Sequence, residues 1–449
     1  MPFIPNSDAD RKEMLETIGV SKFEDLLDNI PKNIRYSGDL NVGKQLSEYE
    51  VSKLLSSYAK MNTSSDSHVC FMGGGAYDRF IPSIVGDTIN RAEFRTAYTP
   101  YQAEVSQGTL QAMYKFQTMI AELTGMDLAN ASMYDGATSF AEACLLANAQ
   151  TKKTEVLVLG TINPRYLETA VTLCKGRGLS FTVIKTSDGR ADINLLEEKI
   201  SAETCAVCIQ QPNFYGSLEE VFEIQKIVEE FKALYISIFD PITLGMTQPP
   251  ASYGADIAVG EGQQLGIAMS FGGPYLGLFS CKQKYVRKLP GRIAGMTTDE
   301  NGTRAFTLTL QTREQQIKRE KATSNICTNQ GLFMLAATVF METLGASGIK
   351  QIAENSYDNA HYLASEICKI NGFEMANQNE FIFEFTIKTP VNPQIIIDEA
   401  PKYGILAGVN ANMASEDNSI HSGLIIAATE IRTKSEMDIF VDFLKKYKS

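Results

Sequence analysis

Apolar residues along this chain follow two rhythms, and each predicts a different element. QGTLQAMYKFQTMIAELTG (107–125) places Leu110, Met113, Tyr114, Ile120 and Leu123 at helical spacing and stops at Gly125, which predicts an amphipathic helix. Beyond it, helices alternate with short unbroken apolar runs. Gly136 opens a helix that leads to the strand EVLVLG, and Asn163-Pro164 caps a helix running towards Lys175. SFTVIK, CAVCIQQ and LYISIFD predict further strands, separated by the helical runs DINLLEEKI and SLEEVFEIQKIVEEF. Runs as apolar as VLVL and YISIF fit strands buried on both faces, so the expectation is a mostly parallel sheet with helices on both sides.

The ends of the chain read differently. SDADRKEMLETIG and SEYEVSKLLSSYAKM are helical, the second with Val51, Leu54, Leu55 and Tyr58 at helical spacing. Polar, Gly-bearing connectors separate them, as in an arm that lies on something else. The last 120 residues or so read helix, helix, strand (FIFEFTI), helix, strand (LIIAAT), helix. The expected organisation is an N-terminal helical arm (1–65), a large α/β domain (66–325) and a small C-terminal α+β domain (326–449).

A length of 449 residues with 44% hydrophobic and 21% charged composition supports a multidomain globular chain. With 41 Lys and Arg against 53 Asp and Glu, the net charge of −12 argues against general nucleic-acid binding. No run approaches ~18 consecutive apolar residues, the span of a membrane helix, and the N-terminus lacks the layout of a secretory signal; a cytoplasmic protein is expected. Eight scattered cysteines and three histidines, in no cluster, leave little ligand supply for a metal site. Strand alternation is expected to put Cys205 and Cys208 on opposite faces. Against the overall acidity, residues 281–321 hold ten basic and four acidic side chains, a local excess of +6.

Ligands of open α/β sheets bind at the carboxyl ends of the strands. Asp135-Gly136-Ala137-Thr138-Ser139 opens a helix there and could hold a phosphate or simply cap. Asp240 follows LYISIF and could pair with a protonated heteroaromatic nitrogen or cap its loop. Gly260-Glu261-Gly262-Gln263-Gln264 is polar but offers no nucleophile. Such a set suits a pyridoxal phosphate enzyme, except that its lysine is missing. Two other runs stand out. Tyr98-Thr99-Pro100-Tyr101-Gln102 is a rigid turn showing two phenols or a packed aromatic loop. Arg313 to Asn325 is a basic segment or a solvated helix face.

AYDRFIPSIV (76–85), FRTAYTPYQAEVSQGTLQAMYKFQTMIAELTGMDLANASMYDGAT (94–138), FGGPYLG (271–277) and LQTREQQIKREKATSNICTNQ (310–330) together resemble the glycine decarboxylase, or P-protein, family of the glycine cleavage system, in its N-terminal-half or subunit 1 form. The resemblance implies an aspartate-aminotransferase-like, fold type I pyridoxal phosphate architecture. In the family's C-terminal half the cofactor lysine follows a His shortly after Ala-Asp; here those positions fall on Gln263 and Gln264, and a carboxamide cannot bind the cofactor covalently. The resemblance therefore implies a lysine-less subunit of a heteromeric enzyme, an α2β2 heterotetramer in which subunit 2 holds the pyridoxal phosphate. Its reaction is decarboxylation of glycine with transfer of the aminomethyl group to the lipoyl arm of H-protein.

On this reading Tyr98, Tyr101 and Gln102 are candidate catalytic residues. Thr99, Pro100, Arg313, Lys321, Thr323, Ser324 and Asn325 are candidate substrate or interface residues. Asp135, Gly136, Ala137, Thr138, Asp240 and Gln264 become remnants of a cofactor pocket, and the basic run is expected to steer an acidic H-protein. Two rivals are a purely structural or regulatory subunit and a self-sufficient pyridoxal phosphate enzyme using another lysine such as Lys282.

Overall fold

The structure is a computed structural model and describes residues 6–36, 38–95, 99–414 and 423–448. It divides into two units, residues 1–62 and 63–449. In the first, the helices Asp8–Ile18 and Glu48–Ala59 each begin with a capping box, Ser7 with Asp10 and Ser47 with Glu50. Neither contains a buried residue, and the face predicted from Val51, Leu54, Leu55 and Tyr58 is exposed.

The second unit is built on a seven-stranded sheet in the order Leu128–Ala129, Gly277–Cys281, Ile257–Glu261, Leu234–Phe239, Thr204–Gln211, Glu155–Leu159, Ser180–Ile184. Only Gly277–Cys281 runs antiparallel to its neighbours; the five strands from Ile257–Glu261 to Ser180–Ile184 are parallel. The expected α/β architecture with a mostly parallel sheet is what forms. Side-chain alternation feeds two separate cores: in Glu155–Leu159, Leu157 and Leu159 enter one, Val156 and Val158 the other. Cys205 and Cys208 depart from expectation. A register shift opposite Glu155 and Val156 inserts one residue into Thr204–Gln211, so both thiols fall in the same core as Val156.

A small four-stranded antiparallel sheet, in the order Glu374–Met375, Glu384–Lys388, Gly423–Ala427, Val409–Asn410, forms the C-terminal part. The cores divide differently from the expected boundary at 325/326. The helix Gly331–Ile367 gives Met334 to Ala353 to the large core and Ala360 to Ile367 to the small one. Conversely, Phe71 and Tyr77 pack with the small core, because Val69–Cys70 pairs in parallel with Ile405–Leu406. Gly331–Ile367 is long and apolar enough by composition to cross a membrane, although no unbroken apolar run marked it. A non-helical Gly345 (φ 62°, ψ −177°) kinks it, and its two parts fill two protein cores, so it is a core helix.

Candidate functional site

The parallel strands end in a crevice roofed by the small sheet. Asp135 caps the helix Gly136–Thr151 by accepting the Thr138 N–H at 2.7 Å. Above this helix start, Glu261 at the end of its strand accepts the Gly136 N–H at 2.9 Å through one oxygen, and the Gln263 and Leu276 N–H groups at 3.0 Å through the other. Burial, opposed by those three donors, pushes the Glu261 carboxyl up to about 8. Asp240 sits at the neighbouring strand end, where its Oδ1 accepts the Ile242 and Thr243 N–H groups and its Oδ2 accepts the Gln264 carboxamide. Burial raises its pKa, against the Arg79 charge. The other side of Gln264 accepts the Arg79 Nε–H at 2.6 Å.

These residues do not fit pyridoxal phosphate. Glu261 already holds the Gly136 N–H at the helix start, and a Cβ added at Gly136 would strike the Tyr166 hydroxyl. Gln264 already holds Asp240. The cavity left between these side chains is about 40 Å³, where a single water needs about 10–15 Å³. Lys282 does not supply the missing amine. It follows the antiparallel strand Gly277–Cys281 and so stands at the opposite end of the sheet, bonded to the Gly254 carbonyl and Asp256.

A second site lies at the surface. Tyr98 lies outside the described residues. Tyr101 is half-exposed; its hydroxyl donates to Glu314 at 3.1 Å and accepts from Arg292 at 3.2 Å, with that guanidinium 5.2 Å from its ring centre. Two runs some 200 residues apart in sequence therefore meet. Thr99 is half-buried and Pro100 buried, while Gln102 is exposed. Arg287, Lys288, Arg292, Lys318, Thr323 and Ser324 line a small basic cleft beside this cluster. Asn325 and Lys321 are exposed on the same loop. Arg313 lines the cleft as well, but its guanidinium is engaged by the backbone carbonyls of Leu289, Gly291 and Leu310. Lys282 and Lys284, counted in the basic run, both pair with Asp256 at 2.9 and 3.3 Å.

The sequence reading missed Arg292 as a site residue, and it missed Tyr77, Arg79, Glu384 and Glu430 at the crevice. Two signals were available: Arg79 lies inside the AYDRFIPSIV run, and Glu384 is the one charge in FIFEFTI.

The sheet order and crevice define a subunit of fold type I pyridoxal phosphate enzyme architecture. A sphingosine-1-phosphate lyase from Burkholderia pseudomallei matches over 93% of this chain and 94% of its own at a TM-score of 0.67 and 12% identity, a likeness of fold. A crystal structure of glycine decarboxylase (P-protein) of the glycine cleavage system, in inhibitor-bound form, matches all of both chains at a TM-score of 0.92 and 37% identity. The family model of the glycine cleavage system P-protein matches residues 1–444. A probable glycine dehydrogenase (decarboxylating) subunit 1 from Chloroherpeton thalassium is 52% identical over 446 residues, 99% of this chain and 100% of that protein. The chain belongs to the glycine cleavage system P-protein family.

Proposed function

We propose that this chain is the cofactor-free subunit 1 of a two-subunit glycine dehydrogenase (decarboxylating). Glycine loses its carboxylate as CO₂, and the aminomethyl group passes to the lipoyl disulfide of H-protein, which is reduced. Pyridoxal phosphate, held by subunit 2, supplies the electron sink for that decarboxylation. The assembly is read as an α2β2 heterotetramer in the cytoplasm.

One observation carries this reading. Where the family's lysine would stand, two glutamines are hydrogen-bonded into the crevice. This chain's contribution is then its surface cluster. Tyr101, held between Arg292 and Glu314, presents a preoriented phenol at the edge of a basic cleft, and Gln102 and the Thr323-Ser324-Asn325 loop stand beside it. Such a surface suits completing a neighbouring site and receiving an acidic carrier. Tyr98 is carried in this proposal on its motif alone.

The test is an absorption scan of the purified chain with pyridoxal phosphate, before and after borohydride, alone and with subunit 2. The expected result is no reduced adduct on this chain and glycine–CO₂ exchange only in the mixture. An adduct fixed on one lysine of this chain, with activity from the chain alone, would overturn the reading.

A further inference from the structure

The segment 74–80 runs between the sheet's carboxyl edge and the small domain and is bonded to both. On the sheet side, the Gln263 carboxamide accepts the Tyr77 N–H at 2.9 Å and donates to the Tyr77 carbonyl at 3.1 Å, while Gln264 holds Arg79. On the small-domain side, Glu384 accepts the Gly74 N–H at 2.6 Å and the Tyr77 hydroxyl at 2.8 Å. Glu430 pairs with Arg79 and accepts the Phe80 N–H at 3.0 Å. Arg432 and Thr429 fasten Asp78 through its carboxylate and carbonyl. Contact is close throughout: a Cβ at Gly216, on the sheet side, would overlap the Glu384 backbone carbonyl.

Glutamines at 263 and 264 do what a lysine could not. Each carboxamide donates and accepts at once, so each bridges two groups. Gln264 joins the acidic Asp240 to the cationic Arg79, and Gln263 clasps one residue by both backbone groups. Glu261 in turn takes the place of an anion on the helix start at Gly136. All three carboxylates in the crevice have donors on both oxygens, so no bound ligand is needed to satisfy them.

We infer that the crevice of this chain is a latch: its own side chains replace a cofactor, and through segment 74–80 they tie the large and small domains permanently together. This rests on the reading that the chain carries no cofactor. It adds that the two domains do not open and close as a site with a working ligand would require.

Amide hydrogen exchange on the full chain tests the latch directly. In Glu384→Ala, exchange across 73–80 is expected to rise at least tenfold, whereas Glu384→Gln, which keeps an acceptor oxygen, stays near the unaltered chain. Tyr77→Phe, which removes one phenol bond, gives the same comparison if Glu384→Ala does not fold. Unchanged exchange in the alanine or phenylalanine variant would overturn the latch. In a second arm, Gln264→Lys is mixed with pyridoxal phosphate and reduced with borohydride. The expected result is no more adduct than with the unaltered chain, and a stoichiometric adduct on the introduced lysine would show an open crevice and overturn the inference. An adduct on the unaltered chain would instead defeat the proposed division of labour, leaving the exchange rates to decide the latch.

Discussion

At the scale of single residues, the phenol of Tyr101 has two charged partners, Glu314 and Arg292. Hydrogen bonds to charged groups contribute about 1.5–3 kcal/mol each. Tyr101→Phe should therefore lower the melting temperature by a few degrees, and on the proposed role of the phenol it should also lower turnover of the reconstituted enzyme about tenfold. Equal turnover would remove the phenol from the reaction. The buried carboxyls make a different prediction. Burial raises Glu384 to about 7 and Glu261 to about 8, from ordinary values near 4.5. Folded chain then binds more protons than unfolded chain between pH 4.5 and 8, so their contribution is full at low pH and is lost as pH rises through 7–8. The charge facing Glu384 is Asp240, and the charge facing Glu261 is Asp135. Thermal unfolding should be easier at pH 9 than at pH 6, and Glu384→Gln should flatten that slope.

At the scale of elements, Gly345 decides how one helix serves two cores. Its φ of 62° with ψ of −177° is a conformation open essentially to glycine. Gly345→Ala should cost about 1–3 kcal/mol, read by urea unfolding, although nothing lies within 4 Å of the added methyl group. A cost near zero would mean that the kink relaxes. Most of the large domain was legible from periodicity, because each buried strand alternates between two cores and some helices carry their own caps, as those begun by Asp135 and Asn163 do. The small-domain boundary was not legible. Pairing of Val69–Cys70 with Ile405–Leu406 joins residues 336 apart, and no local pattern encodes such a contact. The bulge at Cys205 escaped for the same reason, since it depends on the neighbouring strand. For the crevice, Asp240, Gly136 and Gln264 could be placed at strand ends, but Glu384 and Arg79 reach it only through tertiary packing.

At the scale of the whole molecule, a chain of net charge −12 carries a basic cleft. Because Asp256 pairs with Lys284 while Arg287 and Lys318 line the cleft, steering of an acidic H-protein should depend on the latter two. Arg287→Glu with Lys318→Glu should slow association about tenfold at low salt and weaken its salt dependence. Lys284→Glu should change it less, and equal on-rates for all three chains would exclude steering by this face.

The hydrogen-bonded crevice also bears on how such a chain could change over generations. Glutamine and lysine codons differ at a single base, so a lysine at position 264 is among the easiest replacements to reach. That replacement would drop a cation between Arg79 and Asp240, while Glu261 still covered the helix start and Glu384 still held Gly74 and Tyr77. Each later step towards a working pocket would have to loosen bonds that hold the fold together before it gained any chemistry. The route to such a pocket is short in bases and long in stability.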